Sequence, residues 1–300
     1  MTEKYRAFTA IDKISEAFVS DDVKLVAGKG IEAAKEHKFV VIDAPSGSGG
    51  TVALNVLKVT ARDRKDTIVV DLGGFPLTSH QGLRGRLWTE VLVTLGVKPS
   101  YRWSNWKNKA GELVIGRRMQ LRDTLVKLYQ ESKQLLLVMD NALNQPRYLW
   151  ELLYEMADLN VDGKRYGPGV VICADLADRK RAHYKPERIV NEGKPEFPDV
   201  ARRLSVKLGG LNPKHNEVEV YVRFQAKRDA KTFAPDFIAE FGKALSSAYL
   251  EATGMHRLPG TVNAVGRNLM EKRHRLGLPI YQGTGVIRKT AVPETAKIGS

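Results

Sequence analysis

Cysteine occurs once in this 300-residue chain, as Cys173 within the apolar run VVICA. A disulfide scaffold is therefore excluded, and a zinc site built on thiolates has no ligands to draw on. Histidine is also sparse: His37, His80, His183, His215, His256 and His274 are scattered without ligand spacing. No stretch reaches the ~18 consecutive apolar residues of a membrane span. The polar opening MTEKYRAFTAIDK carries no secretory signal pattern, so the expected location is cytoplasmic. Internal repeats are absent. Acid is in short supply, with 34 Asp and Glu against 48 Lys and Arg.

That imbalance gives a net charge of +14 and a pI near 9.7, which favours a polyanionic partner. Nucleic acid comes first and an anionic membrane surface second. Length and a 43% hydrophobic content are those of an ordinary globular protein with a sizeable core. Short apolar runs recur at 39–44, 67–72, 135–140, 169–174 and 204–208. They do not alternate with polar residues, so these strands are expected to be buried on both faces, as in a parallel sheet covered by helices. Helical spacing lies between them, in Val52, Leu54 and Leu57, in Leu83, Leu87, Val91 and Leu95, in Leu121, Leu125 and Leu128, and in Leu149, Leu152, Leu153 and Met156. The class is α/β. Leading helices are expected over 1–36, an α/β core over 37–211, a small all-helical lid over 212–278 and an extended or disordered tail over 279–300. Within the lid, EVEVYVRF alternates like a strand, yet Asn212-Pro213 ahead of it starts a helix, and helix is predicted.

The segment FVVIDAPSGSGGT, 39–51, reads as a strand, a glycine-rich turn and a helix start. The phosphate-binding P-loop pattern is G-x-x-x-x-G-K-[ST]. Here Ala44 stands at the first glycine, Gly49 at the second, Gly50 at the lysine and Thr51 at the hydroxyl. Ser46, Gly47, Ser48, Gly49 and Gly50 can present backbone N–H groups to a phosphate at a helix amino terminus. Gly50 cannot supply the point charge. A plain flexible turn is the alternative reading. Downstream, QLLLVMD ends a strand in Asp140, which with Thr51 would hold Mg²⁺ in the Walker B layout; a core strand ending in a solvated Asp is the other reading. Asn141 follows where a hydrolysing enzyme places Glu, and an amide can orient a water without acting as its base. Asp175, after the 169–174 strand, holds the position of a polar sensor or caps the next turn.

Between residues 97 and 122, Lys98, Arg102, Lys107, Lys109, Arg117, Arg118 and Arg122 face a single acid, Glu112, with Tyr101, Trp103 and Trp106 interleaved. Bases neutralise phosphates and rings stack on bases or sugars, so Lys98, Arg102, Trp103, Trp106, Lys107, Lys109, Arg117 and Arg118 form the expected DNA surface. A solvated loop with its tryptophans on the core is the alternative. Weaker basic groups are Arg267, Lys272, Arg273, His274 and Arg275, and Arg179, Lys180 and Arg181. No base-specific pattern is present, which predicts backbone contacts and strong salt dependence.

Over residues 10–276 the order of elements resembles the AAA+ ATPases, most closely the DNA transposition helpers of the MuB and TnsC type, with ExeA-like and origin-initiator ATPases as near relatives. The resemblance implies ATP and Mg²⁺ as ligands, and a homo-oligomer, ring or filament, on double-stranded DNA. It also implies a transposase or other DNA-processing partner and no membrane. Arg202 or Arg203, in Asp199-x-x-Arg-Arg, would reach a neighbouring subunit's nucleotide, and Arg257 in Gly254-Met-His-Arg would be a lid sensor. The leading expectation is a DNA-binding protein that oligomerises on duplex DNA with nucleotide assistance and recruits or regulates such an enzyme. Gly50 and Asn141 favour the alternative, a degenerate P-loop module without ATP turnover that acts as an adaptor. A small-molecule kinase leaves the helical lid and the basic balance without a role.

Overall fold

The structure, a computed structural model, describes residues 6–8, 13–73, 83–142, 147–175 and 206–283. The chain forms two compact units. Residues 19–210 make one; those up to 18 and those from 211 onward make the other.

In the first unit, α1 (Asp21–Glu36) starts at Ser20, whose hydroxyl accepts from the Val23 N–H, with Asp21 and Asp22 at the positive end of the helix dipole. Five strands follow in one parallel sheet: β1 (Phe39–Asp43), β2 (Thr67–Asp71), β5 (Gln134–Met139), β8 (Gly169–Ala174) and β9 (Val206–Lys207). Their spatial order is β2-β5-β8-β1-β9. Two short antiparallel hairpins, β3 (Trp106–Lys107) with β4 (Leu113–Val114) and β6 (Asn160–Val161) with β7 (Lys164–Arg165), lie outside it.

Strand side chains alternate between two buried layers, which is why the apolar runs are continuous. Phe39, Val41, Leu135, Leu137, Val170 and Ile172 face one core. It is closed by α3 (Leu83–Thr94), α4 (Arg117–Gln130) and α5 (Arg147–Ala157), with Leu87, Trp88, Leu121, Leu125, Leu149 and Trp150. Val40, Ile42, Leu136, Val138, Val171 and Cys173 face the other core, under α1 and α2 (Gly50–Arg62), with Val26, Ala33, Leu54 and Leu57. Each such aliphatic side chain contributes about 1.5–3 kcal/mol on burial. Register pairs Asp43 with Ala174 and Met139 with Ile172, so β1, β5 and β8 end at one edge of the sheet. Asp43, Asp140 and Asp175 sit at those ends.

The second unit holds α6 (Glu217–Lys227), α7 (Pro235–Leu245), α8 (Ala248–Thr253) and α9 (Pro259–Arg275). EVEVYVRF is thus helical, its buried residues including Tyr221, Val222, Gln225 and Ala226. Phe8 stacks on Phe233 and Phe241 in this core. Within 13–18, in the stretch expected to hold leading helices, the chain forms a 3-10 turn, Ile14–Glu16, and Phe18 packs edge-on against Tyr221 at 5.2 Å; residues 9–12 lie outside the described residues. Ile280 and Tyr281, in the stretch expected as tail, are buried, and Tyr281 bridges to Phe233. Arg273 is also buried, paired with Asp236 and Glu240 and donating to the Pro279 carbonyl, so this member of the α9 basic group is turned inward. Among the described residues no helix is long and apolar enough to cross a membrane.

Candidate functional site

Two places in the first unit carry the residues singled out from sequence: the loop after β1 and the hairpin ahead of α4. The loop leaves the sheet at Ala44, whose N–H donates to the Ala174 carbonyl at 2.8 Å. Gly49, the N-cap of α2, has φ +94°, a conformation that only glycine adopts without strain. The first amides of α2 then have no partner within the helix, as at every helix start.

Thr51 and Asp140 are brought together. The threonine Oγ1 donates to Asp140 Oδ2 at 2.7 Å, and Asp140 Oδ1 accepts from the Asn141 N–H at 2.8 Å. This hydroxyl and carboxylate would be the metal side of a nucleotide site. Among the described residues no group of three His, Cys, Asp or Glu side chains is arranged to hold a metal ion alone.

The phosphate side does not match a lysine-dependent cradle. A Cβ at Gly50 would lie 2.8 Å from both Ala44 Cβ and Cys173 Sγ, so no side chain fits there as the loop stands. Asp175 Oδ2 accepts from the Ser46 N–H at 2.8 Å, which places a carboxylate on one of the loop's own amides. The Ser48 N–H is taken by the Pro45 carbonyl at 2.9 Å, and the buried Ser48 Oγ has no hydrogen-bond partner. Burial, followed by the charges of Asp140, Asp43 and Asp175, pushes the Cys173 thiol up to about 12. The carboxylates of Asp43, Asp140 and Asp175 thus stand near the loop, and residues 44–51 include no lysine. These residues do not fit a triphosphate clamped in the usual way. The sequence shows Asp175 and Ala44 only as separate positions; in the fold one sits on the loop's amide and the other lies in the space a side chain at position 50 would need.

The hairpin presents the opposite picture. Trp103 is its anchor, half-buried and edge-on to the buried Trp88 at 4.6 Å. Arg117 is a second tie. Its Nη1 donates to the Gly85 carbonyl at 3.1 Å and to Thr89 Oγ1 at 3.0 Å, and its Nη2 to the Tyr101 carbonyl at 3.4 Å. Gly116 donates to Asn105 Oδ1 at 2.8 Å; a Cβ there would meet the Ser104 backbone at 2.3 Å. At the tip, Asn108 Oδ1 accepts from the Ala110 and Glu112 N–H groups, while its Nδ2 holds the Glu112 carboxylate at 2.8 Å. The single acid of the segment is thus engaged by an amide.

On this frame Tyr101 and Trp106 meet edge to face at 4.7 Å, and the Arg102 guanidinium lies over both rings, 5.4 and 5.2 Å from their centres. Lys98, Arg102, Lys107, Lys109 and Arg118 are exposed, and among the described residues none of them forms an ion pair. Some bases elsewhere are neutralised, as Lys38 is by Glu32 and Glu36 and Lys58 by Asp71. Arg122 has Asp123.

Of the remaining expected site residues, Arg257 lies in the helical unit, where its carbonyl accepts from the Leu211 N–H at 2.8 Å. Arg202, Arg203 and the basic group Arg179 to Arg181 lie outside the described residues.

No family model matches the sequence, and no curated protein does. Among solved structures the chain is similar to Cdc6p from Pyrobaculum aerophilum, with 14% identity, a TM-score of 0.50 and 86% of this chain covered. The match spans 61% of the Cdc6p chain's length. NtrX from Brucella abortus gives 15% identity over 94% of this chain and 56% of its own, at a TM-score of 0.39. A signal transduction ATPase (STAND) protein with a tetratricopeptide repeat sensor from Pyrococcus horikoshii gives 13% over 92% of this chain and 34% of its own, at 0.42. At such identities the likeness is one of fold, and of these three the Cdc6p match has a TM-score that bears on it. The five-stranded parallel sheet in the order β2-β5-β8-β1-β9, flanked by helices on both faces and accompanied by a unit of C-terminal helices, is an AAA+-like α/β fold.

Proposed function

We propose that this protein binds the sugar-phosphate backbone of duplex DNA through the hairpin surface at 98–118. The observation that carries the reading is the group of five exposed, unpaired bases around the Tyr101–Arg102–Trp106 stack. Cations already paired with carboxylates must give up those partners to meet a phosphate, whereas these have no carboxylate to give up and release the DNA's counterions. The surface has no arrangement aimed at base edges, so binding is to the backbone and largely independent of sequence. In this reading the chain acts as one copy of a homo-oligomer, ring or filament, that recruits or regulates a transposase or comparable DNA enzyme. DNA association does not depend on ATP turnover, because the phosphate loop lacks its charge and has no room for it.

A second reading, in which Mg²⁺-ATP assists assembly on DNA, draws on the Thr51–Asp140 contact at 2.7 Å. Fluorescence anisotropy with a labelled duplex of arbitrary sequence, titrated with salt and with or without Mg²⁺-ATP, separates the two. The proposal expects affinity that falls steeply with salt and is the same with and without nucleotide. Tightening by nucleotide favours the second reading. No affinity at low salt removes both.

A further inference from the structure

We infer that Ala44 and Cys173 together fix the loop as a lysine-free turn, because they fill the space that a side chain at position 50 would need. The P-loop pattern carries lysine next to the last position. This chain has the methyl at 44 and the hydrogen at 50. A Cβ at Gly50 would approach both Ala44 Cβ and Cys173 Sγ to 2.8 Å, where real Cβ atoms essentially never sit.

Neither neighbour is the far end of a long flexible side chain. Ala44 has no rotamer, and its backbone is held to β8 through the Ala174 carbonyl. Cys173 is buried in the layer that includes Val40, Ile42, Leu54 and Val171. Close-packed interiors tolerate an added methylene poorly. Ala44 and Cys173 are therefore specificity-determining residues. They leave the loop only backbone amides, with Thr51 and Asp140 beside them, and they exclude the lysine-clamped triphosphate that such loops bind. The inference concerns the loop alone and stands whether or not the hairpin binds DNA.

Two linked experiments test it. The first uses thermal unfolding and alanine at position 50, which adds the Cβ without charge. At an open helix position Gly→Ala stabilises. Here Gly50→Ala is expected to lower the melting temperature by about 3 °C or more in the native chain. In the Ala44→Gly/Cys173→Ala background the same change is expected to raise it. If Gly50→Ala has the same sign in both backgrounds, the inference is overturned.

The second measures binding of a ribose-labelled fluorescent ATP with Mg²⁺. Gly50→Lys alone is expected to gain nothing over the native chain, while the folded triple variant Ala44→Gly/Gly50→Lys/Cys173→Ala is expected to bind at least ~10-fold tighter, as a restored point charge on a phosphate should. Gly50→Lys alone binding as tightly as the triple variant, or a folded triple variant no tighter than the native chain, overturns the inference. DNA affinity followed alongside is not expected to move in either experiment.

Discussion

The phosphate loop and the basic hairpin sit in the same unit and teach opposite lessons about how a motif becomes a site. In the loop the backbone is right: a buried strand, a left-handed Gly49 and a helix start with Thr51 against Asp140. Its chemistry is not, because Asp175 sits on the Ser46 amide and the place of the lysine is occupied. In the hairpin no motif is recognisable, yet the chemistry is displayed. Ties through Trp103, Arg117 and Gly116 fix a small frame, and among the described residues the cations it exposes have no carboxylate partner. Pattern without usable volume is an architectural remnant; exposed charge on a fixed frame is a surface that can act.

The comparison breaks first at the hairpin. Changing Arg102, Lys107 and Lys109 together to Ala is expected to weaken duplex DNA binding by roughly 10²-fold or more at 0.1 M salt and to lower the salt slope by about 2.7. The loss should be uniform across sequences, as anisotropy with several duplexes would show. Unchanged affinity puts the DNA contact elsewhere. Next in size is Gly116→Ala. Its methyl would run into the Ser104 and Trp103 backbone, which cannot swing away, so denaturant unfolding should register a loss of about 2–3 kcal/mol, with weaker DNA binding beside it.

The loop should respond more mildly and without any effect on DNA. Asp175→Ala removes the acceptor of the Ser46 N–H and is expected to cost about 1 kcal/mol in unfolding experiments, with DNA affinity unchanged. Altered DNA affinity in that variant would tie the two regions together and dissolve the contrast. The smallest effect is absent at neutral pH. Burial raises the folded Cys173 thiol from 9.0 to about 12, so below about 9 it has no influence on stability. As pH rises from 9 toward 12 the unfolded thiol ionises while the folded one does not, and stability is lost. Between pH 8 and pH 10 the unfolding midpoint of the native chain should fall further than that of Cys173→Ala.

Much of the first unit was legible because its strands are buried on both faces. Runs such as LLLVM and GVVICA have no place except in the middle of a covered parallel sheet, and the observed strands lie within a residue or two of the expected ones. The hairpins were not legible, since two-residue strands carry no periodicity. Neither was the burial of Tyr281, which depends on Phe233 and the Asp229 carboxylate, far away in sequence. Arg117 was grouped with the DNA-facing bases by composition, and its guanidinium is taken by Gly85, Thr89 and Tyr101. Charge counts cannot tell a cation that faces solvent from one that ties a helix to its neighbour.

By itself the sequence determined the α/β class, the place of the loop at the end of the first strand, the Thr51 and Asp140 positions and the concentration of positive charge at 97–122. These depend on local apolar patterning and composition, which are written along the chain. Only the tertiary structure decided that Gly50 has no room for a side chain and that Asp175 covers Ser46. It alone decided, too, which bases of the hairpin stand free of carboxylate partners. Each of those is a matter of which atoms from distant segments share a few ångströms, and packing at that scale is set by the whole core.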